Sequence, residues 1–211
     1  AWAGDGGGGL DPALGGVEAI LSREPRDPGA WLGKAAVLEG QGRTEEALKA
    51  YDRAVETGPA DARAWNSRGA LLYRTGRVPE AIHSFENAVD LEPRLAAAWN
   101  SLAAVKGSLG RHEEALEAAG KALEISPEDA RAWNNRGGSL FQLGRYEEAL
   151  ASFEKAIALD PGFASPWMNK GQALARLKRR REARAALKKA KELGPSLGET
   201  GGEAGPGEGD G

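Results

Sequence analysis

Residues 130–163 read ARAWNNRGGSLFQLGRYEEALASFEKAIALDPGF, and this stretch decides the fold. Ala132, Trp133, Gly137, Leu140 and Phe141 recur at helical spacing, which predicts a first amphipathic helix. Gly144 closes it, because glycine readily adopts the left-handed backbone that ends a helix. Glu147 and Glu148 open a second helix, where carboxylates meet the positive end of the helix dipole. Ala149, Leu150, Phe153, Ala156, Ile157 and Leu159 form its buried face, and Pro161 prevents it from continuing. No strand-like alternation competes with two helices.

The same unit repeats along the chain. Trp31, Trp65, Trp99, Trp133 and Trp167 stand 34 residues apart, and so do Ala47, Ala81, Ala115, Ala149 and Ala183. Ala54, Ala88, Ala122, Ala156 and Ala190 keep that step, as do Pro59, Pro93, Pro127, Pro161 and Pro195. A turn glycine recurs at Gly42, Gly76, Gly110 and Gly144. A fixed period of this length marks stacked helix pairs that bury their faces on their neighbours. The expected organisation is a Gly-rich segment over 1–9, a half-repeat helix over 10–27, and repeats at 28–61, 62–95, 96–129, 130–163 and 164–197, with a Gly/Glu-rich acidic tail over 198–211. Asp27, Asp61 and Asp129 stand where N-caps are needed. Two repeats depart from the pattern. Ala119 replaces the aromatic of Tyr51, Phe85 and Phe153, which predicts thin packing in repeat 3, and Lys178 replaces the turn glycine in repeat 5.

This spacing, with Trp, a small residue, an aromatic, Ala and Pro at fixed places, resembles the tetratricopeptide repeat (TPR) family over residues 28–197. The resemblance implies an all-α, right-handed solenoid of helix-turn-helix units. It also implies that the first helices line a concave surface able to hold a peptide. On the positions that would face inward stand Asn66, Asn100 and Asn134, then Asn135 and Asn169, then Tyr73 and Phe141, then Arg63 and Arg131. A carboxamide both donates and accepts, so a ladder of them pairs with any extended backbone, while the arginines suit carboxylates. Two readings stand side by side: a peptide-binding groove, or asparagines that belong to the packing of the repeat itself. The lysine, asparagine and arginine set with which TPR co-chaperones grip an acidic C-terminus is matched in no three consecutive repeats.

Composition narrows the function classes. The 211 residues carry 28 Lys+Arg against 31 Asp+Glu, and the net charge of -3 points to no polyanionic partner. The absence of Cys excludes disulfides, thiolate metal sites and Cys nucleophiles. His83 and His112 lack ligand spacing and are assigned to a helix surface and a turn, in surface or packing roles. No phosphate-binding loop occurs, since Gly33-Lys34 and Gly120-Lys121 are each followed by Ala. The paired glutamates are explained by the helix dipole, so no enzyme, metal or cofactor is expected. No apolar run is long enough to span a bilayer, which leaves a cytoplasmic or an exported, processed protein, and the first residue, Ala1, fits a processed product or a fragment.

Charge is local. Residues 164–194 carry +8, concentrated at Lys178, Arg179, Arg180, Arg181, Arg184 and Lys188, while the tail from Pro195 carries -4. A solvated terminal helix explains the cluster, with attraction of another copy's acidic tail or of a polyanion as alternatives. Without aromatics between the bases, nucleic acid is not the expected partner. The leading expectation is a non-catalytic scaffold that binds a peptide segment of another protein in its groove. The alternative is a subunit that assembles head to tail with copies of itself.

Overall fold

The computed structural model describes residues 12–194; Trp2 with the Gly-rich segment 1–9, the first two residues of the expected half-repeat, Pro195 and the acidic tail lie outside them. Among the described residues there are only helices and no strand: α1 (Pro12–Arg23), α2 (Pro28–Gly40), α3 (Thr44–Thr57), α4 (Ala62–Arg74), α5 (Val78–Leu91), α6 (Ala96–Ser108), α7 (His112–Ile125), α8 (Ala130–Gln142), α9 (Tyr146–Leu159), α10 (Ala164–Arg176) and α11 (Arg180–Leu193). From α2 onward first helices of 13 residues alternate with second helices of 14, so the period of the sequence becomes a period of geometry. The fold class is the all-α helix-turn-helix solenoid.

The helices gather into two compact units, α1 to α5 and α6 to α11. In the first, each helix packs on the next from α1 to α5. Ala54, Val55 and Ala64 are buried there, with Trp31, Leu32 and Trp65 against them. In the second, α6 to α11 pack in the same serial way, and the first helices α6, α8 and α10 also touch one another in turn. Its core runs from Ala122, Leu123 and Ala132 through Leu140, Phe153 and Ala173 to Leu150, Leu174 and Ala186.

Each part of the unit has a physical cause. Asp27, Asp61 and Asp129 cap α2, α4 and α8, each accepting two backbone N–H bonds at 2.8–3.2 Å. A cap of this kind contributes about 1 kcal/mol. The turn glycines have φ of 72–79°, and Lys178 holds the same left-handed turn at φ 61°. A side chain there costs roughly 1–2 kcal/mol. Gly137 is required by close approach, since a Cβ at that point would lie 2.5 Å from the Phe153 ring.

Trp and Pro share the period for a common reason. The indole N–H groups of Trp31, Trp65, Trp133 and Trp167 donate to the carbonyls of Pro25, Pro59, Pro127 and Pro161 at 2.8–3.2 Å. The proline ends a helix, and the tryptophan satisfies its carbonyl while filling the gap beside it.

A further 34-residue ladder escapes a reading based on apolar residues. Arg43, Arg77, Arg111, Arg145 and Arg179 each pair with a glutamate three residues on: Glu46, Glu80, Glu114, Glu148 and Glu182. The glutamates at the second-helix starts therefore answer a guanidinium as well as the dipole. The two hydrogen bonds from Arg111 and the one from Lys106 hold the Glu114 carboxyl down to about 2.

Candidate protein-interaction surface

In the second unit the asparagines fall on one side of α6, α8 and α10 because they directly follow, or stand two after, the buried tryptophan turn. They are half-buried and joined in pairs. The Asn135 amide donates to Asn100 Oδ1 at 2.8 Å, and the Asn169 amide donates to Asn134 Oδ1 at 3.0 Å. Each pair links one repeat to the next across 35 residues. Both sequence readings thus meet in the same side chains. One donor and one acceptor per pair are spent on packing, and each carboxamide retains further hydrogen-bonding capacity.

Beside the pairs lies a cavity of about 220 Å³. Ala103, Ala104 and Gly107 of α6 and Gly138 of α8 give it small apolar walls. Asn134, Asn135, Ser139 and Gln142 of α8, Asn169 of α10 and His112 of α7 supply polar groups, and no charged side chain lines it. Ser139 is turned back, donating to the Asn135 carbonyl at 3.0 Å.

His112 is the first residue of α7 rather than part of a turn, which corrects the expectation from spacing. Among the described residues, its Nδ1 is the buried side-chain polar atom without a hydrogen-bond partner. Ala119 is fully buried, so the open space of repeat 3 lies beside Gly107 rather than at the missing aromatic.

The other inward-facing residues are less uniform. Arg131, at the start of α8, is exposed, and among the described residues its side chain forms no ion pair. Phe141 is already engaged: it packs against the cluster of Leu140, Ala149, Phe153 and Ala173, its ring centroid is 5.3 Å from Tyr146, and Arg176 lies 5.7 Å over it. In the first unit Arg63 is exposed, while Asn66 and Tyr73 are half-buried. There the polar focus is instead Glu39, which accepts from Tyr51 at 2.7 Å and from Arg74 at 2.6 Å. Burial and that carboxylate push the Tyr51 hydroxyl well above the ordinary tyrosine range.

The basic cluster resolves into different roles. Arg179 makes a two-pronged bond to Glu182, and Lys188 and Lys189 reach Glu192 at 3.8 and 3.7 Å. Among the described residues Lys178, Arg180, Arg181 and Arg184 form no ion pair. By register, Arg184 and Lys191 stand where α9 has Leu150 and Ile157. The face with which an inner helix grips its neighbour is cationic on α11.

Gly107, His112, Ser139 and Gln142 are cavity residues that motif reasoning passed over. The signal for Gly107 was present, since it stands in register with Tyr73 and Phe141. Among the described residues no group of His, Asp and Glu stands close enough to hold a metal ion. No described helix is long and apolar enough to cross a membrane.

Comparison with known families agrees with this geometry. A family model described as tetratricopeptide repeat matches residues 8–62, 38–96 and 67–122. The chain belongs to the TPR family. Further TPR models match 107–144, 130–163 and 164–196. No curated protein matches the chain. Among solved structures, the TPR protein YrrB, described as having an unusual peptide-binding site, is 26% identical with a TM-score of 0.71, over 88% of this chain and 95% of that one. A MamA structure from Desulfovibrio magneticus RS-1 shares 22% identity at a TM-score of 0.71, over 79% and 94% of the two chains. The Cut9–Hcn1 structure of the APC/C shares 20% at 0.74, with 84% of this TPR chain matching 36% of that chain. The last two show the fold alone.

Proposed function

We propose that this TPR protein is a non-catalytic scaffold whose second unit holds an extended segment of another protein along α6, α8 and α10. The observation that carries this reading is the asparagine set Asn100, Asn134, Asn135 and Asn169, tied in pairs beside a cavity that no charged side chain lines. Pairing fixes each carboxamide in place before a ligand arrives, which lowers the ordering cost of binding. The remaining donors and acceptors suit a peptide backbone, which offers both, independent of its sequence. YrrB, described as a peptide-binding TPR protein, supports the same class of partner. No small molecule, cofactor or nucleic acid is part of this reading, in which Arg131, exposed at the start of α8, would meet a carboxylate of the segment.

The test is selection from a random peptide library against the wild-type chain, followed by affinity measurement on the double variant Asn100→Ala, Asn134→Ala. A loss of tenfold or more is expected, given about 1 kcal/mol for each hydrogen bond lost. Unchanged affinity for every selected peptide would remove the site from this face.

A second reading is self-association through α11. It draws support from Arg180, Arg181 and Arg184, which form no ion pair among the described residues, and from Arg184 standing in register where α9 has Leu150. Such a contact requires an acidic surface on the other copy and weakens as salt is added. Light scattering across salt and concentration decides it: a single mass throughout excludes the contact, while growth at low salt that vanishes on charge reversal at 180 and 181 establishes it.

A further inference from the structure

The cavity in repeat 3 has a counterpart one repeat later. Phe141, Tyr146 and Arg176 form a small cluster in which each meets the other two: the Phe141 ring is 5.3 Å from Tyr146 and 5.7 Å from Arg176, which is itself 6.0 Å from the Tyr146 ring. Moving back by the 34-residue period, these three places are taken by Gly107, His112 and Gln142. All three line the cavity. The space is therefore the place of a missing aromatic ring. Its flanking side chains remain, and the ring itself is replaced by a hydrogen atom.

Resting on the scaffold reading above, we propose that this cavity is a docking pocket for a tyrosine side chain of the bound segment. The tyrosine would occupy in repeat 3 the place that Phe141 occupies in repeat 4. At about 220 Å³ the cavity is smaller than a drug-sized ligand site and suits a single side chain. The walls at Ala103, Ala104, Gly107 and Gly138 give apolar contact to a ring, and His112 stands in register with Tyr146, whose ring meets Phe141 at an interplanar angle of 62°.

The remaining lining selects among aromatics. Asn134, Asn135 and Asn169 offer carboxamides to a hydroxyl at the ring's far end, which phenylalanine lacks. A carboxylate would enter without a lysine or arginine to answer it, because neither lines the cavity. Buried aromatic anchors of this kind carry much of the affinity in interfaces, so the pocket supplies the sequence preference that a carboxamide ladder cannot.

The position of Gly107 makes the test clean. It lies within α6, and a Cβ there would meet only the Ala115 Cβ, at 3.8 Å. Gly107→Phe closes the pocket as Phe141 closes its own place, whereas Gly107→Ala leaves most of the space open. The experiment titrates N-acetyl-L-tyrosinamide into the isotope-labelled full chain and follows amide shifts by NMR. The expected result is saturable binding with a dissociation constant of about 1 mM, a plausible scale for a fragment of this size. Shifts should centre on Gly107, Gly138 and the side-chain amides of Asn134, Asn135 and Gln142. Gly107→Phe should abolish them, Gly107→Ala should keep them within threefold, and the phenylalanine analogue should bind at least threefold more weakly. Thermal melting of both variants checks that the fold persists.

Shifts that do not saturate, or that survive Gly107→Phe, overturn the pocket. Library peptides that bind without an aromatic, ignore Gly107→Phe and lose affinity in the Asn100→Ala, Asn134→Ala variant overturn it while the groove reading stands. Tyrosinamide binding that is lost in Gly107→Phe, with no peptide selected at all, keeps the aromatic pocket and overturns the peptide reading.

Discussion

Repeats 3 and 4 fold into the same pair of helices from different fillings. In repeat 4 the contact between α8 and α9 is a glycine against an aromatic, Gly137 under Phe153, and Phe141 closes the end. In repeat 3 the same places are held by Ala103, Ala119 and Gly107. Ala103 is 2% exposed and Ala119 fully buried, so that pair still packs, and only the place of Phe141 is left open. The backbone tolerates either filling although the alanine pair is the smaller in summed volume, and repeat 1 carries a third one, Ala35 with Tyr51, both buried at the same places. Where one position shrinks without compensation, as at Gly107, space remains.

The largest expected effect tests that exchange of volume. Phe153→Ala should cost about 3–5 kcal/mol in chemical denaturation, as for other buried aromatics cut to alanine. Gly137→Ala should cost about 1–3 kcal/mol, because its Cβ would meet the ring at 2.5 Å. Made together, the two changes recreate the alanine pair of repeat 3, and their combined cost should fall below the sum. Strict additivity in the double-mutant cycle would show that the two repeats do not share one packing rule.

A second difference runs through the charged side chains. Arg68 bonds Asp52 at 2.7 Å and Lys170 bonds Glu154 at 2.8 Å, each across 16 residues. The equivalent position for Arg136 is Gly120, within α7, so Arg136 keeps the bond to a serine, Ser152 at 2.6 Å, and its place over Trp133, as Arg68 does with Ser84 and Trp65, while the carboxylate is missing. Gly120→Glu should therefore raise stability by about 1 kcal/mol, chiefly by removing a glycine from a helix interior. The restored ion pair should add a smaller, salt-sensitive part. A denaturation midpoint that is unchanged or lower would break the comparison between these repeats.

Lys178 offers a smaller test at the other end of the second unit. Lys178→Gly relieves the left-handed backbone at φ 61°, while also loosening the unfolded chain. A net gain of about 0.5–1 kcal/mol in thermal or chemical unfolding is expected. Lys178→Ala, which keeps the strain and removes only the charge, should leave the midpoint where it was.

The smallest effect is one of pH. The folded carboxyl of Glu114 is held down to about 2, first by Arg111 and then by Lys106. A depressed folded-state value means that the stabilisation is present above the ordinary carboxylate value and is lost as pH falls from about 4.5 towards 2. Since the group lies at the surface, Glu114→Gln should flatten the acid limb of the unfolding curve only slightly. The change should shrink further in high salt.

Much of this molecule is legible in its sequence. The 34-residue period places the helices, Asp27, Asp61 and Asp129 announce their caps, and Gly144 announces the turn, because each depends on backbone needs that local sequence satisfies. The inward asparagines were legible as candidates, since a helix face follows from spacing alone. Their pairing was not. Nothing in a linear pattern says that Asn135 meets Asn100, because that contact depends on the offset between stacked helices. Phe141 looked available by position, yet its ring is taken up by Tyr146 and Arg176.

Repetition in the sequence therefore determined the fold class and which side chains recur on each helix face, for local reasons of helix periodicity, capping and turn chemistry. The tertiary structure decided which of those side chains satisfy one another and where volume is missing. It turned a substitution at Gly107 into a cavity beside His112 and Gln142, because empty space belongs to no residue and exists only once the helices around it are packed.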